Sequence, residues 1–122
     1  MATFREIARL PEFERDLKGL AKRFRTLDED LATLVRAQVL PFHKLGIDNK
    51  GVFRVTGLPF LEPKIFKVKK FACRALKGRG ANSGLRLIYA YFKETDRLEF
   101  IEIYFKGDKE NEDRDRILRI AG

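Results

Sequence analysis

Basic residues dominate one stretch of the sequence, and their chemistry is that of phosphate binding. Nine of the 26 Lys and Arg residues lie between Pro63 and Lys93, a span with no Asp or Glu. The rest of the chain has 17 basic and 18 acidic residues, so the positive charge is concentrated in this span. Apolar and basic residues alternate in Phe66-Lys67-Val68-Lys69, which places both lysines on one face of a predicted strand. Such a segment predicts a surface for a polyanion, with RNA or DNA as the natural carrier of phosphate.

Arg86 is the second chemical signal, because it lies inside the apolar run Leu85-Arg86-Leu87-Ile88-Tyr89-Ala90-Tyr91-Phe92. This run predicts a central strand, where an arginine is rarely found without a partner or a function. A carboxylate on the neighbouring strand, such as Glu99 or Glu102, could neutralise it. The basic span also has a simpler explanation, since lysines on an edge strand discourage pairing between sheets.

The composition bounds the class of protein. A chain of 122 residues with 44% hydrophobic residues predicts one folded domain, residues 1–122. Cys73 is the one cysteine, which excludes an internal disulfide and a zinc site of paired cysteines, and favours a reducing compartment. No apolar run approaches the roughly 20 residues of a membrane span, and the first residues lack a signal-peptide pattern. We therefore expect a cytoplasmic protein with no membrane partner.

The first half of the chain predicts two helices. A short edge strand over 4–10 precedes Pro11, which suits the first position of a helix, and apolar residues at helical spacing continue to Phe24. Thr26 and Glu29 have the spacing of a capping box, which predicts a second helix that runs to Leu40 and stops at Pro41. Residues 41–63 are rich in turn signals and predict an irregular connection with a short extended piece over 52–55.

The second half predicts a sheet. Strands are expected over 64–71, 84–93 and 97–106, with a loop over 77–83, a hairpin turn at 94–96 and a short helix over 111–120. Helices that precede a meander predict an α+β fold of two layers. The two N-terminal helices would pack on one face of a small antiparallel sheet, and the other face would stay partly open.

These elements and several local motifs resemble the RelE/ParE superfamily of toxins from bacterial type II toxin–antitoxin modules, most of all the HigB- and RelE-type translation inhibitors. The resemblance is strong from Lys64 to about Lys109 and is one of pattern alone over 1–40. Its most specific part leads from Lys77-Gly78-Arg79-Gly80 through Ser83-Gly84 into Leu85-Arg86-Leu87-Ile88-Tyr89. In these toxins such a loop precedes a central strand with a functional arginine, and Arg86 matches that position.

The resemblance implies an endoribonuclease that cuts mRNA in the ribosomal A site without a metal or another cofactor. The ribose 2′-OH would attack the adjacent phosphate, and preorganised cations would stabilise the charge of the transition state. The planar fork of Arg86 suits that role because it can hold two phosphate oxygens. The other catalytic positions would be Lys69, Arg74, Arg79 and Lys106. The RNA-binding positions would be Lys67, Lys77, Asn82, Ser83 and Tyr104.

The C-terminal segment departs from several members of the family, because residues 111–122 contain neither the Tyr nor the His that assists catalysis there. The general base could be Lys69, Tyr104 or a carboxylate such as Glu110. His43 has no second histidine near it and is more simply a packing or surface residue.

The resemblance also implies a partner and leaves two rival functions open. A cognate antitoxin would cover the basic surface with a segment that includes acidic residues, and operator DNA would be bound only through that complex. ParE-type members inhibit DNA gyrase and do not cut RNA, although the pair Lys67 and Lys69 favours the nuclease. A non-catalytic module that binds nucleic acid would account for the missing Tyr or His.

Overall fold

The structure, a computed structural model, describes residues 3–76 and 78–121. The N-terminal part contains strand β1 (Glu6–Arg9) and helices α1 (Pro11–Ala21) and α2 (Leu27–Leu34). The remainder contains strands β2 (Val52–Arg54), β3 (Lys64–Val68), β4 (Leu85–Phe92) and β5 (Arg97–Phe105), followed by helix α3 (Arg114–Ala121). The predicted α+β class, with two helices before the main strands and a short helix near the C-terminal end, is confirmed.

The five strands form one sheet in the order β1-β5-β4-β3-β2. The pairs β2/β3, β3/β4 and β4/β5 are antiparallel, as the predicted meander requires. The first strand departs from the antiparallel sheet that we expected, because β1 pairs with β5 in parallel. Parallel neighbours need a long crossover, and here both helices and three strands separate β1 from β5 in the chain.

The helical region begins as predicted and ends later. Pro11 occupies the first turn of α1, and Phe13 and Leu17 are buried on its inner face. The predicted capping box does not form at α2: the Thr26 hydroxyl donates a hydrogen bond to Asp30 and accepts one from the Ala75 N–H instead. The side chain expected to close the helix end therefore ties α2 to a loop that lies 49 residues further along the chain.

Pro41 does not stop the second helix. The chain passes from α2 into two π-helical turns, Val35–Val39 and Pro41–Leu45, and leaves them at Gly46, which has a φ of 67°. Proline breaks an α-helix because its ring meets the preceding turn and its nitrogen has no hydrogen to donate. At this point the wider π turns replace the α-helical pattern, and the helical segment ends on a glycine, which adopts a positive φ without strain.

The sheet buries apolar side chains on both faces. On one face, α1 and α2 cover a large core that includes Phe13, Leu27, Leu87 and Phe100. On the other, α3 and residues 55–60 cover a smaller core around Ile65, Ile88, Ile101 and Ile117. The second face is thus more covered than we expected. No helix in the described residues is long and apolar enough to cross a membrane.

Candidate functional site

Strand pairing gathers several of the predicted site residues on the sheet face that points away from α1 and α2. Arg86 of β4 lies opposite Tyr104 of β5, and Lys67 of β3 lies opposite Ile88. Two residues beyond Tyr104 is Lys106, whose side chain is exposed and whose N–H pairs with the Gly84 carbonyl. Five cations make up what we call the basic face: Lys67, Lys69, Arg86, Lys106 and Lys109.

Arg86 is held by backbone groups. One terminal nitrogen, Nη1, donates hydrogen bonds to the carbonyls of Lys69 at 3.2 Å and Leu85 at 3.1 Å. The carboxylates that could have neutralised it are engaged elsewhere, Glu99 by Arg97 and Glu102 by Lys109. Within the described residues no carboxylate forms an ion pair with Arg86. A half-buried guanidinium whose position is fixed and whose charge is unpaired is suited to bind an anion from outside the chain.

Tyr104 supports the lysines and is not open to solvent. The Lys67 ammonium lies 5.6 Å and the Lys109 ammonium 5.4 Å from the centre of its ring, within the range of cation–π attraction. Tyr104 is 5% exposed, and its buried hydroxyl has no hydrogen-bond partner in the described part of the chain. Tyr104 was expected to bind RNA, but its buried ring offers no surface for a base. Instead it packs against the ammonium groups of Lys67 and Lys109.

The acidic residues before α3 are part of this site, which the sequence analysis missed. Lys67 donates a hydrogen bond of 2.8 Å to the Glu112 carboxylate, and Lys109 pairs with Glu102. Glu102 also accepts a hydrogen bond of 2.8 Å from the Asp113 N–H, which fixes the segment over the sheet. Lys67 and Glu112 are 45 residues apart, and no local pattern in the sequence signals their contact.

Protonation of this pair follows from burial and mutual contact. Burial alone would lower the pKa of the Lys67 ammonium, but the hydrogen bond to Glu112 and the nearby Tyr104 raise it above the ordinary value. Burial would likewise raise the pKa of the Glu112 carboxyl, but the hydrogen bond from Lys67 lowers it. Both groups are therefore charged near neutral pH, and Glu112 neutralises one of the five cations of the basic face.

The loop before β4 carries several of the predicted site residues, and some of them are exposed while another is buried. Arg79 and Asn82 are exposed, with no side-chain hydrogen bond to the described residues. Ser83 is fully buried; its hydroxyl donates to the Phe71 carbonyl and accepts from the Leu85 N–H at 3.1 Å, so it positions the start of β4 and is closed to RNA. Lys77, also predicted to bind RNA, lies outside the described residues.

Arg74 is directed towards the helices and not towards the basic face. Its Nε donates to Asp30 at 2.9 Å, its backbone N–H donates to the same carboxylate at 3.0 Å, and its Nη2 pairs with Glu29. Burial would raise the pKa of the Asp30 carboxyl, but hydrogen bonds from Thr26 and Arg74 lower it. The expected place of Arg74 beside the scissile phosphate is thus replaced by an ion pair that ties the loop to α2.

A large cavity lies on the helix side of the sheet, not on the basic face. It has a volume of about 680 Å³ and is lined by His43, Phe66 and Tyr91, among others. The His43 Nε2 lies 2.7 Å from the Tyr89 hydroxyl, and burial lowers the pKa of its imidazole to about 4. His43 packs among aromatic rings, in agreement with the role expected from the sequence. The described residues contain no group of three or more His, Cys, Asp or Glu placed to hold a metal.

The sequence and the fold of this chain were compared with those of known proteins. No protein-family model matches the sequence, and no curated protein matches it. Among solved structures, the chain is similar to the crystal structure of the archaeal RelE–RelB complex from Pyrococcus horikoshii, with 13% sequence identity and a TM-score of 0.49. The match covers 87% of this chain and 98% of that chain. A similarity of this degree identifies neither the activity nor the partner of the present protein.

Proposed function

We propose that this protein is the toxin of a type II toxin–antitoxin module and inhibits translation as a ribosome-dependent, metal-independent mRNA endoribonuclease. The observation that carries the proposal is the guanidinium of Arg86, which forms no ion pair with the described residues and is held by two backbone carbonyls on the basic face. Its sequence context, the Gly-Arg-Gly loop that leads through Ser83 and Gly84 into β4, is that of the functional arginine in the family that the chain resembles.

The reaction requires charge stabilisation and two proton transfers. The 2′-oxygen gives its proton to a base and forms a bond to phosphorus while the bond to the 5′-oxygen breaks. The departing 5′-oxygen takes a proton from water, which leaves a 2′,3′-cyclic phosphate and a 5′-hydroxyl end. Arg86 would contact the non-bridging oxygens where negative charge accumulates, with Lys69 and Lys106 beside it. Because the Tyr104 hydroxyl is buried, the groups proposed from sequence leave two bases for the 2′-OH proton: Glu110, or Lys69 in its neutral form, in which case Lys106 alone would assist Arg86.

A cognate antitoxin is the protein partner that we propose for the basic face. The chain's own Glu112 illustrates the contact that would be needed, since its carboxylate already occupies Lys67. An antitoxin segment with acidic residues would cover the remaining cations and so exclude mRNA. Any contact with operator DNA would then be made by the complex through the antitoxin.

The test is to express the protein in a bacterial host and to map new RNA 5′ ends across translated messages. Arg86→Ala should abolish cuts within reading frames, and Arg86→Lys should weaken them strongly, because loss of one transition-state donor costs roughly 100- to 1,000-fold in rate. Arg36→Ala removes an exposed arginine on the helical side and serves as the matched control. Persistent cleavage by the Arg86→Ala variant would contradict the assignment of the site.

Other outcomes separate the rival functions. Growth arrest with intact mRNA and double-strand DNA breaks would favour inhibition of gyrase. RNA binding that weakens with salt but never gives cleavage on ribosomes would favour a non-catalytic module. Thermal unfolding of each variant should accompany these assays, because Arg86 also makes two hydrogen bonds that contribute about 1 kcal/mol each to stability.

A further inference from the structure

Phe53 is an exposed aromatic residue directly beside the basic face. It lies on the edge strand β2 opposite Lys67, and it is 41% exposed. The other large hydrophobic residues exposed in the described chain are aliphatic: Ile7, Leu45, Ile47, Leu61 and Leu118. The ring of Phe53 therefore remains open to water next to clustered cations.

The surroundings of Phe53 are those of an anion site. The Lys69 ammonium lies 4.8 Å from the centre of the ring, and Lys69 also supplies the carbonyl that accepts a hydrogen bond from Arg86. Phe53 and Lys69 thereby connect the edge of the sheet to the arginine at its centre. A base stacked on Phe53 would therefore share Lys69 as a neighbour with Arg86.

A small polar pocket adjoins the ring. Its volume is about 200 Å³, and its charged lining residues are Arg54, Lys67, Lys69, Arg114 and Glu112. Four cations against one carboxylate leave it positively charged. The pocket is smaller than the roughly 300–1,000 Å³ of sites that enclose a drug-sized ligand, which limits its occupant to a group such as a phosphate or one base.

We infer that Phe53 and this pocket form a subsite for one unpaired nucleotide of single-stranded RNA, with the base on the Phe53 ring and the phosphate against Lys69 and Arg54. The inference rests on the proposed function, since it extends the RNA path from Arg86 to the β2 edge. Aromatic platforms next to basic grooves are the usual means of holding single strands, because every base has a stacking face. Phe53 and Arg54 would hold substrate and would take no part in bond breaking, while Lys69 would be shared with the Arg86 site.

The inference is tested by binding two oligomers of about eight nucleotides, a single-stranded RNA and an abasic ribose-phosphate chain of the same length. Phe53→Ala should weaken binding of the RNA by at least about fivefold, the lower bound for one stacked base, and leave binding of the abasic oligomer unchanged. Phe53→Trp should retain RNA binding. Phe53→Leu keeps an apolar side chain on the edge strand but lacks a π face, so it should behave like Phe53→Ala.

Leu61→Ala is the matched control, because Leu61 is 82% exposed and removal of its side chain should not affect either oligomer. Equal RNA binding by the wild type, Phe53→Leu and Phe53→Trp would overturn the subsite while leaving Arg86-dependent cleavage intact. A wild-type protein that binds neither oligomer, even at low salt, would overturn the subsite and the proposed RNA target together. Thermal unfolding of the Leu and Trp variants confirms that binding is compared between folded proteins.

Discussion

Replacement of Glu112 by Gln should make the protein less stable and, at the same time, tighten its binding of RNA. The Glu112 carboxylate accepts a hydrogen bond of 2.8 Å from Lys67, and the exposed fractions of the two side chains are 9% and 14%. Burial would raise the pKa of the Glu112 carboxyl, but the hydrogen bond from Lys67, a backbone hydrogen bond and the charges of Lys67 and Arg114 together lower it, so this group is ionised near neutral pH. Gln retains an acceptor for the ammonium group and removes the negative charge.

Both effects can be estimated. A hydrogen bond to a charged group contributes roughly 1.5–3 kcal/mol, and the amide retains part of it, so we expect a loss of about 1 kcal/mol in the free energy of unfolding. The corresponding fall in Tm is roughly 3 to 6 °C. A phosphate bound to Lys67 would lie about 5 Å from the carboxylate, where repulsion is about 1 kcal/mol in water and about 3 kcal/mol at an effective dielectric constant near 20. Removal of this repulsion corresponds to roughly tenfold tighter binding.

The assay is fluorescence anisotropy of a labelled single-stranded RNA at several NaCl concentrations, with Asp115→Asn as the control. Asp115 is exposed on α3, forms no ion pair with the described residues, and its replacement changes the net charge by the same amount. Glu112→Gln should bind about tenfold more tightly than this control, with a salt slope steeper by about 0.7, the value for one additional phosphate contact on a single strand. Equal binding by the two folded variants would refute the idea that Glu112 masks Lys67.

Two further predictions concern residues outside the basic face. Arg74→Ala should lower the free energy of unfolding by about 1–2 kcal/mol, since Asp30 loses a charged partner, while Arg79→Ala should leave it unchanged. Chemical denaturation measures both variants. Equal stabilities would contradict the structural role of Arg74 and make it a site candidate again. For His43, whose pKa falls from 6.5 to about 4 on folding, the unfolded chain binds a proton in this interval that the folded chain does not. The free energy of unfolding should therefore reach its full value above about pH 6.5 and fall by about 2 kcal/mol towards pH 4. This fall is smaller than the pKa difference alone would give, because the ring is partly exposed. The fall should be smaller in His43→Gln.

The sequence predicted the parts of the fold that depend on local periodicity. The alternation in β3 and the two-faced apolar pattern of β4 identified both strands, and the position of Arg86 within β4 followed directly. Pro11 marked the start of α1 for the same reason, since its effect on the backbone is confined to neighbouring residues.

Apart from the predicted stop at Pro41, the errors discussed next concern interactions between distant parts of the chain. Thr26 has the residue type of a helix cap, but its hydroxyl is used by a loop 49 residues away. Arg74 looked like a member of the basic span because sequence proximity does not reveal that a buried carboxylate, Asp30, lies beside it. Glu112 was not recognised as part of the site, because nothing near it in the sequence points to Lys67.

Strand β4 assigns neighbouring residues to different tasks: Leu85, Leu87 and Tyr89 belong to the core under the helices, while Arg86 faces the opposite side. A shift of one residue in strand register exchanges the two faces. Such a shift would bury a guanidinium among aromatic rings and expose three large apolar side chains to the face that Arg86 now occupies. A molecule with misregistered β4 would therefore be unstable and would lack Arg86 on the basic face. Folded molecules that resist unfolding should accordingly all present Arg86 on that face.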